Sequence, residues 1–502
     1  MSSETATGHE THSHTHGGGH HHSPEELKSL TELEGLRDSA RNKAKADYGD
    51  ANIYLSEKDF NDDSLRPMFE TKPGYFLFVI ALASVMAVGV AAFVRQMVVG
   101  MGVTGLHQPV FWGAYIATFV FWVGLSHSGT IVSSILRLTM ANWRRPILRG
   151  AEAMTAFSLM VAGLFPMIHV GRQWRVYYMF PLPNQRELWP NFKSPLMWDM
   201  MAISIYLTGS LTFLYIGLLP DIATARDRAI SNGNWRAGYL RLLALGWRGG
   251  NYDWAVYNKA SLFLAVIILC IAPSVHTIVS WDFAMTMTPG WHTTIFGPYF
   301  VVGAINSGVA GVILLMIIIR SIFKLQHIIR DLHIDCLGQL QLVIALIWLY
   351  FYFCEFNVTW YSHKPEEMAV WDWQWERFPL QLIAMVGGTA LAVGLLGFKK
   401  IRRNMKAMVA ITILINIGMY CERYLIVVPV LSHRDNPYKW TDYWASPTEL
   451  SIILMSFCFF ALLYAVFIKV FPIITMADVK EGVVISGDVR LGKHAVRVQV
   501  KE

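Results

Sequence analysis

Charged residues are scarce in this sequence. Asp, Glu, Lys and Arg make up 16% of its 502 residues, whereas 54% are apolar and the mean hydropathy is +0.37. A soluble chain of this length would carry a much higher charged fraction. Stretches near the roughly 20 apolar residues that a helix needs to cross a bilayer occur ten times. These features exclude a soluble protein and predict an all-α integral membrane protein with about ten transmembrane helices.

Paired cysteines and nucleotide or zinc motifs are also missing. The five cysteines stand singly in or beside apolar stretches, without a CxxC pair. This spacing argues against disulfides and against iron–sulfur ligation. No Walker or HExxH sequence indicates nucleotide or zinc chemistry. The start of the chain lacks the basic and apolar regions of a cleaved signal peptide, so we expect the N-terminal tail to stay where it is made.

The first part of the chain is polar. Seven histidines stand among Gly, Ser and Thr between His9 and His22, a composition that forms no packed core. It indicates a disordered tail, with metal buffering as the alternative. From Ser23 onward, acids in the first turn and bases in the last predict a surface helix.

The apolar stretches define the transmembrane organisation. The predicted spans are residues 74–100, 110–136, 151–169, 196–219, 260–278, 299–323, 336–356, 379–398, 405–430 and 449–471. Lys and Arg are more frequent in the loops after the second, fourth, sixth and eighth spans, so the positive-inside rule predicts that both termini are cytoplasmic. We therefore interpret the basic clusters as orientation signals, namely Arg144, Arg145, Arg149, Lys399, Lys400, Arg402 and Arg403.

Spans two to five and six to nine are interpreted as two four-helix bundles with a flanking helix at each end. The predicted units are residues 1–72 with the cytoplasmic tail and surface helix, 73–278 with the first flanking helix and first bundle, 279–430 with the second bundle, and 431–502 with the last transmembrane helix and a cytoplasmic C-terminal tail.

Ionisable residues cluster at the predicted outer ends of spans three, four and five. A charge at bilayer depth is costly, so such residues are functional candidates. Together they would give an apolar pocket with a few polar anchors. Helix capping is the alternative for each residue alone. The set is His169 and Arg172 closing span three, Trp198 and Asp199 opening span four, and His276, Trp281 and Asp282 closing span five.

A second group of ionisable and hydroxyl residues lies deeper or toward the predicted cytoplasmic side. Such chains of titratable groups are typical of proton pathways. Two structural roles are the alternatives to a proton pathway. Glu422 and Arg423 would neutralise each other as an ion pair, and His127 would be a hydrogen-bonded structural histidine. Haem ligation is another possible role for the histidines, and it needs ligands at matching depth on facing helices. His127 is mid-span whereas His169 and His276 are expected near one face, so these histidines pair poorly as haem ligands. The group is Ser126, His127, Glu152 and Tyr206 in the first bundle, and Glu355, Glu422 and Arg423 in the second.

Three neighbouring stretches carry a family resemblance: FPMIHVGRQWR, WPNFKSPLMWDMMAISIYLTGS and LLPDIATARD, within residues 157–227. HQPVFWGAYIATFVFWVGLSHSGTIVSSILRL and WDFAMTMTPGWHTTIFGPYFVVGAINSG strengthen it. In their order and spacing these stretches resemble the NrfD and PsrC family of quinone-interacting membrane subunits. They are most similar to the ActC-type subunits of alternative complex III.

The resemblance implies a function for the outer-end residues. It implies a haem-free subunit in a bacterial inner membrane that oxidises menaquinol near the periplasmic face, with His169, Asp199 and Asp282 as catalytic residues. Arg172, Trp198, His276 and Trp281 would bind the quinol. The implied partners are a periplasmic iron–sulfur subunit of the ActB type, a paralogous NrfD-type membrane subunit and multihaem cytochrome c subunits.

Chemistry supports this interpretation from the residues themselves. Oxidation of a quinol releases two protons with two electrons, and His and Asp are suitable proton acceptors. Because the chain shows no metal motif of its own, a redox partner is required. The implied proton path carries over to His127, Glu152, Glu355 and Arg423, with Ser126, Tyr206 and Glu422 beside them. The alternatives are a secondary transporter or ion-conducting subunit, and a structural subunit like the ActF-type paralogue.

Overall fold

The computed structural model describes residues 57–180, 195–286, 288–291, 293–326, 328–433, 438, 440–481, 485–491 and 494–500. The predicted His-rich tail and the surface helix from Ser23 lie outside these residues.

Helices dominate the described chain. In order they are α1 Glu57–Phe69, α2 Pro73–Val99, α3 Ala114–Leu138, α4 Leu148–Ala162, α5 Leu164–His169, α6 Pro195–Ser231, α7 Ala237–Leu243, α8 Asn251–Ala284, α9 Phe296–Phe323, α10 Asp331–Ser362, α11 Pro365–Arg377, α12 Pro379–Leu382, α13 Gly388–Leu396, α14 Lys399–Arg402, α15 Met405–Ser432, α16 Pro447–Val470 and α17 Met476–Glu481. Short 3₁₀ helices span Met101–Val103, Asn142–Arg144 and Gln173–Met179, and a π-helical turn, Ile383–Gly387, joins α12 to α13.

Within the described part of the chain, ten helical segments are long and apolar enough to cross a membrane. They are α2, α3, α4 with α5, α6, α8, α9, α10, α12 with α13, α15 and α16. The prediction of an all-α membrane protein with about ten transmembrane helices is confirmed. Several helices run past their predicted ends, because polar residues continue the helix beyond the apolar stretch. The largest extension is in α8, which begins at Asn251 and ends at Ala284.

Local sequence signals set several helix ends. Pro73 and Pro447 occupy the first turns of α2 and α16, where the missing N–H of proline costs no helical hydrogen bond. Ser446 and Glu449 form a reciprocal capping box at the start of α16. The helix α2 stops at Gly100, whose φ of 97° lies in the left-handed region that glycine tolerates.

Helix α3 is the centre of the membrane-spanning unit. It packs against α4, α8, α9 and α15, and nearly all its residues are buried. In contrast, α2 packs along α16, and only Gly89 and Gln96 of its residues are buried. The contact of α3 with both α8 and α9 places the two predicted bundles side by side, while the boundary between them at residue 278 stays a prediction.

A two-stranded antiparallel hairpin lies near the C-terminus and was not predicted. Strand β1, Ile485–Leu491, pairs with β2, His494–Val500, with Ile485 opposite Val500. Alternating valines such as Val496 and Val498 favour an extended strand. The hairpin belongs to one compact unit, and residues 52–482 form another.

Candidate functional site

Two aspartates meet between neighbouring spans. Asp199 lies in the second turn of α6 and Asp282 near the end of α8, and these helices pack together. Their carboxyl groups lie close enough to interact directly. Only 5% of Asp199 and 8% of Asp282 is exposed. Two carboxyl groups in such contact can share one proton while they retain acceptor oxygens.

The free oxygens and flanking rings of the aspartate pair suit a small planar ligand. In each aspartate, Oδ1 is buried and has no hydrogen-bond partner among the described residues. The adjacent Trp198 and Trp281 meet edge to face, with ring centroids 6.2 Å apart. An unpartnered buried oxygen is costly unless a ligand or water completes its hydrogen bonding. Aromatic walls with a few polar groups are typical of ligand sites.

His169 is the last residue of the short helix α5, which is offset from α4 at Gly163. Its Nδ1 atom is buried and has no hydrogen-bond partner among the described residues. The following 3₁₀ helix, Gln173–Met179, contacts α6. Arg172, in the short connection between α5 and this 3₁₀ helix, is exposed. The structure thus brings Asp199 and Asp282 together, and the placement of His169 beside them stays a prediction.

The position expected for His276 is wrong. Hydropathy puts it at the outer end of its span, at a different depth from His127. Because α8 continues to Ala284, His276 lies more than two turns before the helix end. Its ring centroid is 4.6 Å from that of His127, and both side chains are fully buried. His127 and His276 therefore lie at a similar depth and in contact, contrary to the expectation of unequal depth.

The two histidines are part of a polar cluster deep in the first bundle. The His127 Nδ1 atom is 2.6 Å from the Val123 carbonyl oxygen, and its ring lies 5.0 Å from that of Tyr206. The Tyr206 hydroxyl donates to the backbone carbonyl of Ser126 at 3.3 Å. In the described chain, His127 Nε2 and both ring nitrogens of His276 form no hydrogen bond of good geometry, although the His127 ring approaches the Ala272 backbone and the His276 ring approaches the Phe300 backbone. The cluster thus combines two imidazole rings with a tyrosine hydroxyl in a fully buried position.

Aromatic and cationic contacts continue from this cluster into the second bundle. The His276 ring lies 5.7 Å from Phe300 of α9, and the Arg423 guanidinium lies 4.7 Å from the centre of that Phe300 ring. Arg423 pairs with Glu422 at 3.2 Å, and Glu422 accepts a hydrogen bond from the Trp348 indole at 2.9 Å. The ion-pair alternative for these two residues is thus present in the structure.

Glu355 lies apart from that ion pair. Its carboxylate accepts a hydrogen bond from the hydroxyl of Thr293, a residue just before α9. Only 9% of Glu355 is exposed. Glu355 and Glu422 are therefore two separate buried acids of the second bundle.

At the other end of the first bundle, Glu152 belongs to a charge cluster that the sequence interpretation missed. Arg149 lies 3.2 Å from Glu152 and 2.9 Å from Asp221, and it donates to the Gly217 carbonyl at 2.7 Å. Only 1% of the Arg149 side chain is exposed. A Cβ atom at Gly217 would lie 2.8 Å from the Arg149 Nη1 atom, so a side chain there would displace the guanidinium. Arg149 is therefore a buried charge partner.

The interpretation of the basic clusters as orientation signals needs the same correction at Arg402. This side chain is buried and binds Asp335 at 2.8 Å, while Arg403 binds the other carboxylate oxygen at 3.1 Å. The spacing of Arg149 and Glu152, three residues apart on one helix, was the available signal for a pair. The sequence spacing gave no sign that Arg149 or Glu152 would meet Asp221, which is 69 positions beyond Glu152.

The geometry defines a class of protein: a multi-pass helical membrane protein with buried carboxyl and imidazole groups between its spans. Residues 102–433 match the family model described as polysulphide reductase, NrfD. The chain belongs to this family, which confirms the family-level resemblance.

Two relatives have reductase names. The chain is 30% identical over 244 residues to a putative membrane subunit of dimethyl sulfoxide reductase from Halobacterium salinarum, a match covering 48% of this chain and 51% of that protein. It is 23% identical over 375 residues to a selenate reductase subunit from Mesobacillus selenatarsenatis, covering 72% of this chain and 83% of that protein. The chain thus spans about half the length of the first relative and most of the second.

Proposed function

We propose that this chain is the quinol-binding membrane subunit of an oxidoreductase complex, and that it oxidises menaquinol at Asp199 and Asp282 with His169 as a further base. The observation that carries the proposal is the contact between two buried carboxyl groups on neighbouring helices, with an unpartnered oxygen on each. The names of the two relatives, both of them subunits of reductases, support membership in such a complex.

The aspartate pair fits the proton chemistry of a quinol. A quinol that becomes a quinone gives up two hydroxyl protons and two electrons. The ionised carboxylate of the pair accepts the first proton, and His169, with its unpartnered Nδ1, accepts the second. Trp198 and Trp281 provide an apolar wall for the ring, while Arg172 lies at the exposed side.

The electrons leave through another subunit in this proposal. We propose a periplasmic iron–sulfur subunit above the aspartate pair, with a paralogous NrfD-type membrane subunit and multihaem cytochrome c subunits in an assembly like alternative complex III. The proposed location is a bacterial inner membrane with both chain termini cytoplasmic. The proposed units are residues 1–72, 73–278, 279–430 and 431–502, with the quinol site in the second unit.

Substitution of the aspartates in the purified complex tests the proposal. Asp199→Asn and Asp282→Asn each remove a proton acceptor, and loss of such a group lowers turnover by about 100-fold or more. The measurement is quinol-dependent reduction of the iron–sulfur cluster, followed by electron paramagnetic resonance. Asp227→Asn is the matched control, because Asp227 lies on the same helix at its other end with 66% of its side chain exposed.

Full cluster reduction in both aspartate variants would refute the quinol site and favour the ActF-like alternative, a subunit without a quinol site. A complex without any cluster signal would refute the proposed partner. If the purified chain instead catalysed solute flux in proteoliposomes without a quinol, the transporter alternative would replace the proposal.

Proton translocation is a second proposed activity, favoured by the continuous contacts from His127 through His276 and Phe300 to Arg423. The proposed pathway uses His127, Ser126, Glu152 and Tyr206 in the first bundle, and Glu355, Glu422 and Arg423 in the second. His276 joins this pathway by its position, since its ring packs against His127.

A further inference from the structure

Gln96 is an unusual residue in the first transmembrane helix. Of the 27 residues of α2, only Gly89 and Gln96 are buried, and 1% of Gln96 is exposed. Gly89 packs closely on Met455 of α16. Gln96 is therefore the one buried polar group of α2, and a buried amide is stable only when it is hydrogen-bonded.

The Gln96 amide is hydrogen-bonded to the backbone next to His169. Its Nε2 donates to the Ile168 carbonyl at 2.9 Å, and its Oε1 accepts from the Tyr115 hydroxyl at 2.6 Å. Its Nε2 also lies 3.3 Å from the sulfur of Met101. Because the Oε1 atom is fixed by Tyr115, the amide is oriented with its N–H toward the Ile168 carbonyl.

The helix that carries His169 depends on such outside contacts. Helix α5 has six residues, which is too short to be stable by itself. Carbonyl groups in the last turn of a helix have no hydrogen-bond partner within that helix. The Gln96 amide is the donor that the Ile168 carbonyl would otherwise lack. Tyr115 also packs on Phe165 of α5, with centroids 6.5 Å apart.

Contacts also hold the chain on the other side of His169. Gly171 has a φ of +72°, and a Cβ atom there would lie 3.0 Å from Cγ of Met101. The residues directly after α2 therefore pack closely on the turn that follows His169. The end of α2 and the 3₁₀ helix after it hold the His169 segment at both Ile168 and Gly171.

We infer that Gln96, oriented by Tyr115, is a positioning residue that sets the place of the His169 imidazole relative to the bound quinol, so that the first transmembrane helix is part of the quinol site. This inference rests on the proposed role of His169. It assigns no proton transfer to Gln96 itself. A displacement of about 1 Å in a reacting group can lower turnover about 100-fold.

The test compares single and double variants of the purified complex. We expect Gln96→Leu to lower kcat for quinol oxidation about 10- to 100-fold with a smaller change in KM, because a misplaced base affects the reaction more than binding. Tyr115→Phe keeps the bond to Ile168 but frees the amide, so a smaller loss, about 2- to 10-fold, is expected. Gln341→Leu is the matched control: Gln341 is also fully buried and bonded at 2.6 Å, to Asn306 in the second bundle.

A double-variant cycle separates positioning from general support. If Gln96 acts through His169, Gln96→Leu with His169→Gln is no slower than His169→Gln alone, because coupled residues are not additive. Additive losses, an unchanged kcat in Gln96→Leu, or an equal loss in Gln341→Leu would each overturn the inference. If Gln96→Leu does not assemble, the same cycle with Tyr115→Phe decides. Normal turnover in His169→Gln would instead refute the proposed base and with it the inference.

Discussion

Arg149 shows how a single side chain makes two buried acids tolerable in a membrane bundle. Its guanidinium contacts Glu152 and Asp221 and also donates to the Leu214 and Gly217 carbonyls. Ions removed from water are stable only when charges and hydrogen bonds compensate for their lost hydration. One residue therefore connects α4 to α6 and prevents repulsion between the two carboxyl groups.

Arg149→Leu should destabilise the protein strongly. The change leaves Glu152 and Asp221 without their cation, and breaking a buried pair this way costs about 3–5 kcal/mol. Thermal unfolding in detergent is the measurement. Arg241→Leu, at an exposed arginine of α7, is the control and should change stability by about 0.5 kcal/mol or less. Recovery of stability on adding Glu152→Gln and Asp221→Asn would support the charge mechanism, and equal stability of Arg149→Leu and the wild type would contradict it.

The start of α16 shows how one helix end connects distant elements. Glu449, fully buried, accepts hydrogen bonds from the Gly105 and Ser446 backbone N–H groups and from the Tyr443 hydroxyl. The same Tyr443 hydroxyl accepts from the N–H of Ala114, in the first turn of α3. This cap therefore joins the loop after α2, the start of α3 and the start of α16.

Tyr443→Phe should weaken this cap, since it leaves partners at Ala114 and Glu449 unsatisfied at a cost of about 1–3 kcal/mol. Burial, and then the hydrogen bond to Glu449, raise the pKa of Tyr443. The neutral hydroxyl is thus favoured in the folded state. Its contribution is complete below the ordinary tyrosine pKa of about 10 and is lost as the pH rises through the raised pKa.

We therefore expect the stability difference between the wild type and Tyr443→Phe to be constant up to about pH 10 and to shrink above it. Thermal unfolding measured across that range provides the check. Tyr438→Phe, at a tyrosine that is 98% exposed, is the control and should show no such difference. A difference that grew with pH would contradict the assignment of the neutral hydroxyl.

For the whole molecule, buried polar groups extend through both bundles and are separate from the aspartate pair. The contacts between His127, His276, Phe300 and Arg423 cross from α3 and α8 to α9 and α15. The Arg149 cluster lies at the far end of the first bundle from Asp199, because Asp221 is 22 residues further along α6. At 1.5 Å per residue this separation is about 33 Å.

If these groups conduct protons, His127→Leu, His276→Leu, Glu152→Gln and Glu355→Gln should preserve quinol oxidation and reduce proton translocation in proteoliposomes. The Asp227→Asn variant should preserve both. If the groups are structural, the same changes should lower thermal stability by about 3–5 kcal/mol where a buried pair is broken. Unchanged translocation with normal turnover in all four variants would end the proton-path proposal without affecting the quinol site.

The sequence by itself determined the membrane architecture. Apolar stretches of sufficient length have few stable forms in a bilayer other than helices, so composition and spacing were enough to predict ten spans. The same reasoning marked Asp199, Asp282 and His127, because ionisable groups in apolar stretches are costly unless they serve a purpose. The family also followed from the order of local motifs, which needs no three-dimensional information.

Only the tertiary structure decided which polar groups meet. Helix ends are poorly defined by hydropathy, and the continuation of α8 to Ala284 moved His276 from the expected outer end to the ring of His127. Burial of Arg149 and Arg402 depends on acids from other helices, Asp221 and Asp335. Gln96, in a helix that is otherwise largely exposed, meets Ile168 because α2 lies beside α5 in the fold. Such contacts arise from helix packing between residues far apart in the chain, and one-dimensional patterns do not encode that proximity.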